Sequence, residues 1–264
     1  MKRLFVLGCS FSRYHWPTWA DIVGKEFDHF ENWGNSGLGN RALIERLSEL
    51  TLANSITKDD TIIVQWTDPN RFDLHMPNKF PEEPWFTGGN ILNSPLYNQE
   101  WASYYWNPSS YAMHTYNFIH LATCLLNSLP CTWYFTSMND MTDDLKYYPQ
   151  FQIYSNILIN DKWLPPIKPF FDNNYKTKWF KKPVRNNIGL VTHYVNVEDP
   201  HPTPVVHAEY AYNFLASLLN ITIDKDWAKK ADDLLDGIST HEDMRDTFIE
   251  KINWDNRANW VKGL

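Results

Sequence analysis

The order of apolar and polar positions predicts alternating strands and helices over the first quarter of the chain. Leu4 to Leu7 is a short unbroken apolar run closed by Gly8, the pattern of a strand buried on both faces of a parallel sheet. Trp16, Trp19, Ala20, Ile22, Val23 and Phe27 recur at near-helical spacing and predict a helix over 16–27, with Pro17 suited to its first turn. A brief second strand leads into a Gly- and Asn-rich loop at 32–40, and Leu43, Leu47 and Leu50 then predict a helix over 42–52. TIIVQW at 61–66, β-branched and apolar behind Lys58-Asp59-Asp60, reads as a third strand. The order β-α-β-α-β implies a doubly wound α/β sheet.

From Asp68 to about Ser110 no period survives, and the stretch reads as a long functional insertion. Helical spacing resumes at 111–129, CTWYFT at 131–136 is a fourth strand, and a second irregular insertion runs over about 137–187. Gly189 to Val197 is the last expected strand and 204–219 the last helix with a clear apolar face. The expected organisation is one α/β domain over 1–222, with Trp- and Tyr-rich insertions at about 68–110 and 137–187, then a charged helical extension over 223–264.

Composition narrows the partners. A chain of 264 residues, 43% hydrophobic and 21% charged, suits a single folded soluble domain. A formal net charge of -7 without a dense Lys/Arg block gives no electrostatic footprint for nucleic acid or an anionic membrane. Aromatics make up 16% of the chain, including 13 Trp, and many fall in polar segments, which hints at a stacking surface. Cys9, Cys124 and Cys131 make no disulfide framework or CxxC metal site, so a reducing compartment is expected. The apolar run in MKRLFVLGCS is too short for a signal peptide and no stretch reaches membrane-spanning length, so a cytoplasmic location is expected. The histidines do not pair with carboxylates or cysteines at metal-ligand spacing, no Walker-type phosphate loop is present, and no metal or cofactor is expected.

The chemistry-bearing residues sit past the strand ends, where doubly wound sheets place ligands. Gly8-Cys9-Ser10-Phe11-Ser12 follows the first strand, Asn35-Ser36-Gly37-Leu38-Gly39-Asn40 the second, Thr67-Asp68 the third, and Asp199-Pro200-His201-Pro202 precedes the last clear helix. A His near a strand-to-helix turn can serve a serine as base, and an acid two or three residues earlier can fix its tautomer through the other ring nitrogen.

These segments, in this order over residues 3 to 219, resemble the conserved blocks of the SGNH (GDSL-type) hydrolases. The resemblance implies a flavodoxin-like three-layer α/β/α sandwich with a short, mainly parallel sheet. It further implies Ser10 as nucleophile, His201 as base, Asp199 as orienter with Glu198 as runner-up, and an oxyanion site from the backbone N–H groups of Ser10 and Gly37, with Gly39 as the alternative to Gly37. Cys9 stands where the family usually has Asp. The third block departs: Gln65-Trp66-Thr67-Asp68 replaces Gly-x-Asn-Asp, so Thr67, or Arg71, would have to supply the side-chain donor. The implied activity is hydrolysis of a small-molecule or carbohydrate ester, with O-acetyl sugar suggested by the aromatic insertions. Acyl transfer by the same serine and a non-catalytic protein on a decayed hydrolase fold are the alternatives.

Overall fold

The computed structural model describes residues 1–76, 85–94, 97–174, 178–185, 190–240 and 243–254. Gly189, His241, parts of both insertions and the last ten residues of the expected extension lie outside them.

Four parallel strands form the central sheet: β1 (Arg3–Leu7), β2 (His29–Asn32), β3 (Asp60–Trp66) and β6 (Thr132–Ser137), in the order β2-β1-β3-β6. This is the expected α/β fold with a short parallel sheet. Period-two alternation sends Phe5, Leu7, Ile62, Val64 and Trp66 into one core cluster, while Leu4, Val6 and Ile63 are equally buried on the opposite face. A sheet buried on both faces is what a three-layer arrangement requires. On the first of these faces pack α2 (Asn40–Ala53) and α4 (Pro108–Asn127). At the amino-terminal edge Arg3 donates to Asp60 through Nε at 2.7 Å, tying the starts of β1 and β3 together.

Chain contacts divide the molecule into two compact units, one built from Met1–Ser12 with Phe27–Pro169, the other from Arg13–Glu26 with the described residues beyond Phe170. This division differs from the boundary expected at 222. Helix α10 (Lys225–Gly237) packs on α8 (Pro204–Phe214), and α11 (Met244–Ile252) packs on α10. Together they bury Trp16, Phe180, Leu235, Met244, Phe248 and Trp254, so the extension is core to the second unit. Its signal is weak because part of the apolar stripe of α10 is alanine, Ala228 and Ala231.

The insertions carry more structure than their sequences advertise. The first contains an antiparallel hairpin, β4 (Arg71–His75) with β5 (Trp85–Asn90), and helix α3 (Gln99–Tyr105). The second contains short helices and β7 (Lys178–Arg185). The last expected strand is β8 (Val191–Asp199), but it pairs antiparallel with β7 in a two-stranded sheet of its own. Helix α1 is Trp19–Gly24, shorter than the 16–27 expected, because Thr18 is its N-cap: the Asp21 carboxylate accepts the Thr18 N–H at 2.8 Å and its hydroxyl at 2.9 Å.

Candidate active site

In the first unit the order β2-β1-β3 makes the carboxyl end of β1 the point where the connections diverge, and residues 8–12 start there. A tight turn follows β1, with the Ser12 N–H and hydroxyl both donating to the Cys9 carbonyl, at 2.9 and 3.0 Å. Ser12 is fully buried between two glycines: a Cβ on Gly8 would stand 2.4 Å from its Oγ and one on Gly34 2.6 Å. Asn32, at the end of β2, donates to the Ser12 carbonyl at 2.7 Å and accepts the Gly34 N–H at 3.0 Å, joining the first and second loops. Cys9 is buried and receives the Gln65 amide at 3.1 Å, a contact that explains a small apolar side chain there and a Gln at the end of β3. Ser10 therefore sits on a turn fixed on both sides, with 4% of its surface open.

The loop after β2 separates the two glycine candidates. The Gly39 N–H is already donated to Asp73, at 2.9 and 3.1 Å from its two oxygens, so it has no hydrogen left for an oxyanion. Gly37 is the remaining choice; its φ of +79° is the left-handed conformation that glycine adopts without strain.

Thr67 corrects an expectation. Asn40 grips its backbone from α2, accepting the N–H at 2.8 Å and donating to the carbonyl at 2.9 Å. The Thr67 hydroxyl is fully enclosed and has no hydrogen-bond partner among the described residues, so it does not face a surface that a substrate carbonyl could approach. Arg71 donates one of its five guanidinium hydrogens to the Leu38 carbonyl at 3.1 Å. Thr67→Val, which deletes an unpaired buried hydroxyl at constant shape, is therefore expected to raise unfolding free energy by about 1 kcal/mol and leave turnover within about twofold. Urea melts and p-nitrophenyl acetate kinetics on the same preparation check both halves; a tenfold loss of turnover would restore Thr67 as a donor.

In the second unit Asp199, the last residue of β8, is buried and meets His201. Its Oδ1 accepts the ring Nδ1–H at 2.8 Å and the His201 backbone N–H at 2.9 Å, while its Oδ2 accepts the Tyr14 hydroxyl at 2.6 Å. A carboxylate can only accept, so Nδ1 carries a proton, and in the neutral imidazole Nε2 then holds the lone pair. The Tyr14 ring lies against the imidazole, centroids 3.8 Å apart and planes 22° from parallel. Trp16 donates to the Pro202 carbonyl at 2.7 Å and fixes the chain just beyond. Glu198 is exposed and pairs across the hairpin with Trp179; Asp199 is the residue on the ring. No sequence spacing pointed to Tyr14, Asn32, Asn40 or Asp73, which act through side chains far away in the chain.

His207 is a packing residue of α8. It is fully buried against the edge of Phe171, centroids 4.9 Å apart, and neither ring nitrogen has a hydrogen-bond partner among the described residues. Burial, reinforced by the nearby His201, pushes its pKa down to about 3. The folded state thus holds it neutral, whereas the unfolded chain protonates it below about 6.5, so its contribution is intact above that value and lost as pH falls. Between pH 7 and pH 5 the parent should lose about 2 kcal/mol more than His207→Leu, measured by urea unfolding at the two values.

Among the described residues no group of three or more His, Cys, Asp or Glu side chains could hold a metal ion, and no helix is long and apolar enough to cross a membrane. All three cysteines are free thiols. No protein-family model and no curated protein matches the chain. Among solved structures it is similar to a member of the lipolytic protein G-D-S-L family from Veillonella parvula, with 13% identity, a TM-score of 0.41 and coverage of 83% of this chain and 98% of that one. It is also similar to the protein YxiM of Bacillus subtilis, with 11% identity, a TM-score of 0.30 and coverage of 54% of this chain and 34% of that one.

Proposed function

We propose that the chain is a serine hydrolase of carboxylic esters. The observation that carries this reading is the Asp199–His201–Tyr14 assembly: a buried carboxylate holds one imidazole in a single tautomer with Nε2 as base. Ser10, on its braced turn at the divergence point of the sheet, is the assigned nucleophile, and the backbone N–H groups of Ser10 and Gly37 are the assigned oxyanion donors.

In the reaction, the Ser10 Oγ bonds to the substrate carbonyl carbon while His201 takes the hydroxyl proton. Collapse breaks the ester C–O bond, and the alcohol leaves with that proton. Water then attacks the acyl-serine, again giving its proton to His201, and releases the acid and Ser10. Ser10 belongs to the first unit and His201 to the second, so the reading requires the two to act on one substrate. The substrate class is a small-molecule or carbohydrate ester; exposed aromatic side chains available for stacking on a sugar face include Trp101, Tyr104 and Tyr105 of α3.

A fluorophosphonate probe tests this, since only a serine activated by its base is phosphonylated. The expected result is one adduct, on the peptide containing Ser10, that disappears in His201→Ala. A chain that neither labels nor hydrolyses p-nitrophenyl acetate would be a binding protein. Transfer of the acyl group to an added alcohol in preference to water would make it a transferase.

A further inference from the structure

The first insertion grips the loop that carries Gly37. Three side chains of the β4–β5 hairpin reach three successive polar points of that loop. Thr87 Oγ1 donates to the Ser36 carbonyl at 2.8 Å, Arg71 Nη1 donates to the Leu38 carbonyl at 3.1 Å, and Asp73 accepts the Gly39 N–H through both oxygens. Asp73 Oδ2 also accepts the Ala42 N–H at 3.2 Å, so this carboxylate from the hairpin does for α2 what Gly39, its side-chain-less N-cap, cannot. Gly37 is pressed against the same hairpin: a Cβ on it would lie 2.8 Å from the Thr87 carbonyl oxygen. The hairpin is itself anchored, because the Tyr97 hydroxyl donates to the Phe72 carbonyl beneath Gly88, where any Cβ would collide with the Tyr97 ring.

A loop whose carbonyls and N–H groups are held from outside keeps its remaining donor in one place, and a fixed donor is what stabilises a developing negative charge without reorganisation. We propose that the β4–β5 hairpin is a positioning device for loop 36–39, with Asp73 and Thr87 as the positioning residues that hold the Gly37 N–H for the reaction. The inference rests on the reading of Gly37 as an oxyanion donor. Burial raises the Asp73 pKa to about 6, opposed by the Gly39 and Ala42 N–H groups and by Arg71 and Arg46, with the Tyr97 hydroxyl also nearby. The grip thus carries its charge at neutral pH and loses it as pH falls through that value.

The test uses the full chain labelled at glycine, as parent, Thr87→Val, Asp73→Asn and Asp73→Glu, with circular dichroism to check folding. Two quantities are read: amide hydrogen exchange at Gly37 and Gly39, and kcat and KM for p-nitrophenyl acetate. Thr87→Val, at a half-buried site, keeps the shape if Asp73→Asn fails to fold. The expected result is Gly37 exchange faster by about tenfold or more in Thr87→Val and Asp73→Asn. With it, kcat should fall by about tenfold at a KM within about twofold, with partial recovery in Asp73→Glu. Unchanged Gly37 exchange in Thr87→Val overturns the proposal, as does a loss confined to KM. If the parent itself neither hydrolyses nor labels, the hydrolase reading fails alone, and the exchange arm still decides whether the hairpin holds the loop.

Discussion

Ser10→Ala is expected to lower turnover of p-nitrophenyl acetate by a factor on the order of 10⁶ and to abolish phosphonylation, with little change in thermal midpoint. The magnitude follows from what is removed: without Oγ no acyl-enzyme forms, and only donors and binding remain to assist water. The fold should tolerate the change because the turn is braced by neighbours of Ser10, chiefly Ser12 through the Cys9 carbonyl and Asn32. Cys9→Ala is the matched control. It removes a buried thiol and its contact with Gln65, at a cost in stability of about 1 kcal/mol, while turnover stays within about tenfold. Loss of activity in Cys9→Ala with retention in Ser10→Ala would move the nucleophile to the thiol.

The parts of the fold legible in the sequence are those where local pattern and burial agree. β1 and β3 carry apolar runs, Leu4 to Leu7 and Ile62 to Val64, because both faces of the sheet are covered, and α2 shows its leucines because one face alone is buried. The first hairpin, and the pairing of β8 with β7 instead of with the central sheet, were hidden for opposite reasons. In β4 and β5 polar residues such as Asp73 and Thr87 point at loop backbone instead of solvent, which breaks the alternation expected of a half-buried strand. In β8 every residue from Val191 to Glu198 is exposed, so no face is selected for apolarity, and β7 carries Pro183 and three lysines. Much of the Trp is packing: among the described residues Trp16, Trp19, Trp33, Trp66, Trp85, Trp133 and Trp254 are buried.

At the candidate site, local spacing revealed what lies within one turn of chain. Asp199 and His201 are two residues apart, and their hydrogen bond follows from that spacing. Tyr14, 185 residues from Asp199, leaves no local trace, and neither does Asp73, 34 residues from the Gly39 N–H it accepts. Thr67 illustrates the converse. Its place after β3 made it a donor by alignment with a family block, yet the side chain at that point turns inward because Asn40 fixes the backbone from the other side.

The Tyr14 contact changes what Asp199→Asn should do. When an Asn replaces a triad carboxylate, its NH₂ group can face the ring and force the proton onto Nε2, and that wrong tautomer costs roughly 10⁴ in turnover. Here the carboxylate oxygen facing His201 accepts two hydrogen bonds, from the ring and from the backbone N–H, whereas the oxygen facing Tyr14 meets a hydroxyl that can accept as well as donate. The Asn is therefore expected to keep its oxygen toward His201 and donate its NH₂ to Tyr14, preserving the tautomer. What remains lost is the negative charge that stabilises the imidazolium, so turnover should fall on the order of 10²-fold, with the acid limb of the kcat/KM profile displaced to lower pH. A loss near 10⁴ would show the amide turned toward the ring, and a loss below twofold would remove Asp199 from the mechanism. Asp199→Ala, which leaves both the His201 N–H groups and the Tyr14 hydroxyl without this acceptor, should be worse than Asp199→Asn in turnover and in thermal midpoint.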